Sequence, residues 1–170
     1  ISCKDSSDGK ITVNVEGGVT PYKYQLDKQQ LSGLFQPERS QQLSNEFIYL
    51  NAGTYQIVVE DANGCKINQP AKLNEPDLLE FQPSSHQLSN YKSFNISCKD
   101  GNNGWVELSV IGGHGNYSYQ KTGQPNTLQS SNRFVNLSKG SNSFTVKDAY
   151  CEATTTINLT EPPLLVLQPS

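Results

Sequence analysis

Four cysteines, Cys3, Cys65, Cys98 and Cys151, are the residues of this 170-residue chain whose type and spacing promise covalent chemistry. They fall two to each half, at matching positions. No Cys-x-x-Cys pair occurs, and the two histidines, His86 and His114, occupy unmatched positions. A tetrahedral metal site therefore lacks its usual ligand spacing, and the pattern reads as disulfides formed in an oxidising compartment. The favoured pairing is Cys3 with Cys65 and Cys98 with Cys151. Each bond would close a loop of roughly 50 to 60 residues, worth about 4 kcal/mol on the loop-entropy account.

Other candidates are weaker. Asp5 and Asp8, with Asp61 or Glu75 brought near by the fold, could supply oxygen ligands to Ca²⁺, and the second copy offers Asp100, Asn102, Asn103, Asp148 and Glu161. Asp and Asn also cap turns and tolerate left-handed backbone, which is the plainer use of the same residues. No cofactor is expected, and calcium is the one metal these residues suggest. Ser84-Ser85-His86 suggests a nucleophile and its base, but it lies in the strand between the copies, a triad also requires a third orienting group, and the set does not recur in the repeat. No catalytic residue is assigned, and the chain is not expected to be an enzyme. Residues 28–45 are rich in Gln and Ser and differ most between the halves. This segment reads as a loop, and loops on a rigid scaffold often carry recognition, which makes Gln29, Gln30, Phe35 and Arg39 candidate ligand contacts. Trp105 stands on the face where the first half has Lys10, and an outward indole could stack on a sugar ring. The alternatives are a solvated spacer and a ring covered by a neighbouring strand.

The elements that must position these residues occur twice. Ile1-Ser2-Cys3-Lys4-Asp5 returns as Ile96-Ser97-Cys98-Lys99-Asp100. Residues 78–84 return as 164–170. Gly17-Gly18, Tyr22 and Tyr24 return as Gly112-Gly113, Tyr117 and Tyr119. Asp61-Ala62 and Glu75-Pro76 return as Asp148-Ala149 and Glu161-Pro162. Copies of about 85 residues can each bury a core, unlike the shorter units of a solenoid. The expected domains are 1–77, lacking its first strand, and 78–163, with 164–170 as the start of a further first strand. The chain is expected to be part of a longer array.

Period-two alternation dominates both copies. Ile11, Val13 and Val15 face one way and Lys10, Thr12, Asn14 and Glu16 the other; Val106, Leu108 and Val110 repeat this. Tyr55, Ile57 and Val59 alternate ahead of Asn63-Gly64, a tight hairpin signal. Pro70 interrupts the ladder of the strand after Cys65, which should be an edge strand or carry a bulge. Short strands at regular spacing, with no helical period, predict an all-β fold: two tandem immunoglobulin-like, fibronectin-like Greek-key β-sandwiches built from antiparallel strands. Such wiring raises an objection to the favoured disulfides. Cys3 would lie about 20 Å from Cys65, at the other end of the sandwich. A bridge needs Cα atoms within about 7 Å. Cys3 with Cys151, between repeats, is the alternative, and both pairings stay open.

Net charge is −3, with 13 basic residues scattered rather than clustered. Nucleic acid is not an expected partner, since it calls for a concentrated basic face. No apolar run is long enough to span a bilayer, so direct membrane insertion is not expected. Asn95, Asn116, Asn136 and Asn158 open N-x-Ser/Thr sequons, which matter only in a glycosylating host.

Asp8-Gly9-Lys10-Ile11-Thr12-Val13, Gly17-Gly18, Pro21-Tyr22-Lys23-Tyr24 and residues 50–65 (LNAGTYQIVVEDANGC) together resemble the SprB repeat. The second copy departs from it at Asn142, Tyr150 and Gly115-Asn116. The resemblance implies a repeat segment of a large extracellular cell-surface adhesin, stalk or filament of gliding Bacteroidetes, exported by type IX secretion. It implies reach and multivalent attachment, with neighbouring repeats, surface polysaccharide or other cell-surface proteins as partners. A carbohydrate-binding or spacer module of a secreted hydrolase is the alternative function.

Overall fold

Alternating apolar residues decide the layers of the fold. The computed structural model describes residues 1–124 and 128–168. Two units separate by internal contact, Ile1–Pro76 and Asp77–Ser170. The first holds β1 (Gly9–Thr12), β2 (Lys23–Gln29), β3 (Phe35–Gln42), β4 (Glu46–Leu50), β5 (Gly53–Glu60) and β6 (Lys66–Leu73). One sheet is β1-β4 and the other β3-β2-β5-β6, antiparallel throughout. Ile11, Phe47 and Leu50 from the first sheet meet Tyr24, Leu26, Tyr55, Ile57 and Val59 from the second. The intervening residues of each strand face outward, as a half-buried sheet requires.

The second unit holds β7 (Glu80–Phe81), a 3₁₀ turn (Pro83–Ser85), β8 (Gln87–Leu88), β9 (Gly104–Glu107), β10 (Val110–Ile111), β11 (Ser118–Lys121), β12 (Arg133–Leu137), β13 (Gly140–Lys147) and β14 (Glu152–Leu159). Its sheets are β12-β9-β8 and β11-β13-β14, with β10 paired to β7. Ile96, Val106, Leu108, Phe134, Phe144, Val146 and Leu159 fill the space between them. Both units are immunoglobulin-like antiparallel sandwiches, all-β as the alternation predicts. Pro70 does lie on an edge strand, β6.

Two expectations change. Residues 28–45 are mostly strand rather than loop. β2 runs on to Gln29, the chain reverses through Gly33 at φ +83°, and β3 returns along β2 as the outer strand of its sheet. Almost every residue of β3 is exposed, so no apolar alternation announced it. The first long strand also stops early. Val13 and Val15 continue the alternation, but β1 ends at Thr12, whereas the matching stretch of the second unit continues into β10 because β7 pairs with it. Of the tail 164–170, residues 169 and 170 lie outside the described residues.

Leu26 is fully buried, so Leu26→Ala should cost about 2–5 kcal/mol through lost transfer energy and the cavity left behind. Ile48, on the outward face of β4 and 45% exposed, should tolerate Ala within about 0.5 kcal/mol. Urea unfolding of the two variants measures both.

Candidate functional site

The β5–β6 and β13–β14 hairpins place the chemistry. At the first turn Asp61 Oδ1 accepts the N–H groups of Asn63 and Cys65, both at 2.9 Å, and Oδ2 accepts Val19 N–H at 3.1 Å. The Cys65 N–H, with smaller help from Val19 and Asn63, lowers the Asp61 pKa. Asp148 repeats the cap on Tyr150 (2.8 Å), Cys151 (2.7 Å) and His114 (2.7 Å). Burial alone would raise its pKa, but the N–H donors of His114, Tyr150 and Cys151 outweigh that and lower it. These carboxylates act as Asx caps that let a short turn close without orphaned donors.

At the far end of each hairpin a second carboxylate forms a clasp. Glu75 pairs with the Lys4 ammonium and accepts Asp5 N–H at 2.8 Å. Glu161 accepts Asp100 N–H at 2.7 Å and pairs with Lys99 (2.7 Å) and Lys139 (2.6 Å). Asp5 and Asp100 sit at φ +60° and +59°, left-handed conformations that Asp and Asn tolerate better than most residues. The Glu161 side chain is only 7% exposed. Lys139 first, then Lys99, hold it ionised, and its pKa falls from 4.5 to about 2. Asp8 accepts Ser2 N–H. Among the described residues no group of three or more His, Cys, Asp and Glu gathers at a potential metal site.

The clasps decide where the cysteines lie. Cys3 and Cys98 sit in the turns held to Glu75 and Glu161, just past the C-terminal ends of β6 and β14. Cys65 and Cys151 precede the N-terminal ends of the same strands. Eight strand residues span roughly 25 Å at about 3.3 Å each, far beyond the roughly 7 Å Cα separation a disulfide permits. The favoured pairings Cys3–Cys65 and Cys98–Cys151 do not form. Cys65 and Cys98 are free, exposed thiols, and Cys3 and Cys151 are disulfide-bonded.

The remaining sequence candidates do not converge. Gln29, Gln30 and Phe35 gather at the β2–β3 turn, where Gln30 N–H donates to Leu34 O at 2.8 Å. Arg39 lies farther along β3, opposite Leu26. Trp105 belongs to the second unit, where the Arg133 guanidinium lies 4.2 Å from its ring centre. That cation–π pair replaces the Lys10–Glu46 ion pair (2.6 Å) at the equivalent place in the first unit. His86 is structural: its Nδ1 accepts Ser109 N–H at 3.0 Å, and burial lowers its pKa. Sequence reasoning missed Ser89, 1% exposed, whose hydroxyl donates to Asn95 O at 2.7 Å and accepts Trp105 N–H at 2.9 Å. It also missed the role of Lys4 and Lys99, although their place beside Asp in the repeated Ile-Ser-Cys-Lys-Asp was a signal.

Residues 1–30 and 91–124, equivalent stretches of the two copies, match the family model of the SprB repeat. No curated protein matches the chain. Among solved structures, the chain is similar to the C-terminal 282-residue fragment of intimin, solved in complex with the intimin-binding domain of the translocated intimin receptor. Identity is 14% and the TM-score 0.46, over 82% of this chain and 51% of that fragment. The chain thus spans about half the length of the intimin fragment. It is also similar to an amphioxus IgVJ-C2 molecule at 12% identity and TM-score 0.38, over 94% of this chain and 99% of that one.

Glu161 titrates below its unfolded value, so its contribution to stability is present above pH 4.5 and is lost as pH falls toward about 2. The wild-type melting temperature should therefore fall faster across that window than that of Glu161→Gln. Parallel curves would remove the clasp from the account. Tyr55 hydroxyl donates to Asn51 O at 2.8 Å, and Tyr55→Phe should cost about 0.5–1.5 kcal/mol, measured by urea unfolding.

Proposed function

We propose that this chain is a non-catalytic repeat segment of a long extracellular cell-surface adhesin or stalk. Its copies set the reach of the attachment and multiply weak contacts, in the manner of the gliding adhesins that the SprB repeat implies. The observation that carries the reading is the duplication of one structural device. Each copy has its own core, its own capped hairpin and its own carboxylate clasp, at positions that repeat through the sequence. A module of this kind works in series, since every copy folds on its own interactions and adds length without depending on a shared centre.

The cysteine states favour a covalent joint between copies. In this proposal Cys3 of the first copy is bonded to Cys151 of the second, which makes the pair a tie between repeats. A link across so long a stretch of chain restricts the unfolded state by about 5 kcal/mol on the loop-entropy account. It also keeps neighbouring copies attached when one of them opens under load.

Attachment by many weak sites has a clear signature. Beads bearing many copies of the chain should stay on producer cells or their extracted surface polysaccharide about 10² to 10⁴ times longer than single copies do. Equal retention of single and clustered chains would contradict the proposal. A glycan array bound tightly by the single chain would instead favour a carbohydrate-binding module.

A further inference from the structure

Asn-Gly occurs twice in the chain, at Asn63-Gly64 and Asn103-Gly104. This dipeptide cyclises readily, because glycine has no side chain to crowd the attack of its nitrogen on the asparagine amide. The structure treats the two pairs differently. Asn103 is tied down: its Oδ1 accepts Ser97 N–H at 3.1 Å and its Nδ2 donates to Ser97 Oγ at 2.8 Å. Gly104 is buried in β9, where an added Cβ would lie 2.5 Å from Ile96 and 2.8 Å from Leu137 O. Asn63 and Gly64 are exposed at the β5–β6 turn, and a Cβ on Gly64 would meet nothing within 4 Å. Among the described residues, none bonds the Asn63 side-chain amide. What restrains this pair is the closed turn. Gly64 N–H donates to Asp61 O at 3.0 Å, and Asp61 Oδ1 holds the N–H groups of Asn63 and Cys65, both at 2.9 Å.

We propose that Asn63-Gly64 is a self-modifying site, kept intact by the closed turn and converted when the hairpin opens there. While the turn is closed, the nitrogen that must attack is committed to Asp61 O. Opening frees it. The Gly64 nitrogen then bonds to Asn63 Cγ, the Cγ–Nδ2 bond breaks, and the Gly64 proton leaves with the amide nitrogen as ammonia. Water adds to either carbonyl of the resulting succinimide and gives aspartate or isoaspartate at position 63. Neither product restores the turn. Aspartate sets a second carboxylate beside Asp61, and like charges at that spacing repel. Isoaspartate lengthens the main chain by one carbon, which breaks the i to i+3 spacing of the bond from Gly64 to Asp61. The step is one-way, so the site keeps a record of local opening. In the second copy the single Tyr150 replaces Asn63-Gly64. That hairpin has the same cap, from Asp148, without the reaction.

Peptide mass mapping of the full chain at mildly alkaline pH, with fragmentation that separates isoaspartate from aspartate, follows the conversion. Conversion in urea sets the rate of the unrestrained dipeptides. In the folded chain Asn63 should convert about tenfold or more slowly than in urea, and Asn103 more slowly than Asn63. Asp61→Ala removes the cap; it should raise the folded rate at Asn63 about tenfold and leave Asn103 unchanged. Ile57 is 8% exposed in the core of the same unit. Ile57→Val weakens that core without touching the turn and should leave the Asn63 rate unchanged. Converted chain, separated by its added charge, should exchange the Cys65 amide faster than unconverted chain. The proposal is overturned if folded Asn63 converts as fast as in urea or no faster than Asn103. It is equally overturned if Asp61→Ala does not speed the reaction, if Ile57→Val speeds it as much, or if converted chain keeps the Cys65 amide protected.

Discussion

The long antiparallel hairpin, β5–β6 in one unit and β13–β14 in the other, is the element on which the rest depends. Its eight-residue strands pair over their full length. Their inward residues, Tyr55, Ile57 and Val59 or Phe144 and Val146, form much of each core. Its turn is closed by Asp61 or Asp148, and its far end is held by Glu75 or Glu161. Because a strand is stiff and nearly fully extended, the hairpin also keeps the two cysteine positions of a copy apart. That separation leaves Cys65 and Cys98 as free thiols while Cys3 and Cys151 are bonded.

The two copies solve the same local problems with different side chains. Tyr55 hydroxyl serves the Asn51 carbonyl in the first; in the second, Asn142 Nδ2 donates to Ser138 O at 3.1 Å. Asn142 is a buried polar residue, tolerable because its amide finds backbone acceptors. The outer face exchanges an ion pair, Lys10–Glu46, for a stacked one, Arg133 over Trp105. One lysine serves Glu75, and two serve Glu161. The backbone task at each place is fixed, and the side chain that performs it is free to change.

Much of this was legible before the coordinates. Alternation at Tyr55, Ile57 and Val59, the Asn63-Gly64 turn and the paired landmarks of the duplication point directly to sandwiches of antiparallel strands. Pro70 on an edge strand followed from its missing N–H. The hidden parts have physical reasons. β3 carries polar residues on both faces, so period-two reasoning had nothing to detect. Val13 and Val15 carry the alternation of a strand, yet the regular ladder ends at Thr12, beyond which Val13 bonds to the backbone and side chain of Asn45. The clasps join residues 70 and 61 positions apart, Asp5 with Glu75 and Asp100 with Glu161, distances across which sequence spacing carries no signal. Of the residues read as oxygen ligands, Asp8 and Asp61 accept backbone N–H groups and Asp100 pairs with Lys99.

A scaffold of repeated sandwiches gains mechanical value if the joints between copies are as durable as the copies themselves. Under the proposed function the cysteines would serve that joint, since eight-residue strands keep the two cysteines of one copy too far apart to bond. The most direct measurement is a non-reducing proteolytic map of the chain, alkylated before digestion and read by mass spectrometry. The account predicts a single cross-linked species joining the Cys3 and Cys151 peptides, with Cys65 and Cys98 fully alkylated. Peptides joining Cys3 to Cys65 or Cys98 to Cys151 would contradict it, as would alkylation of all four.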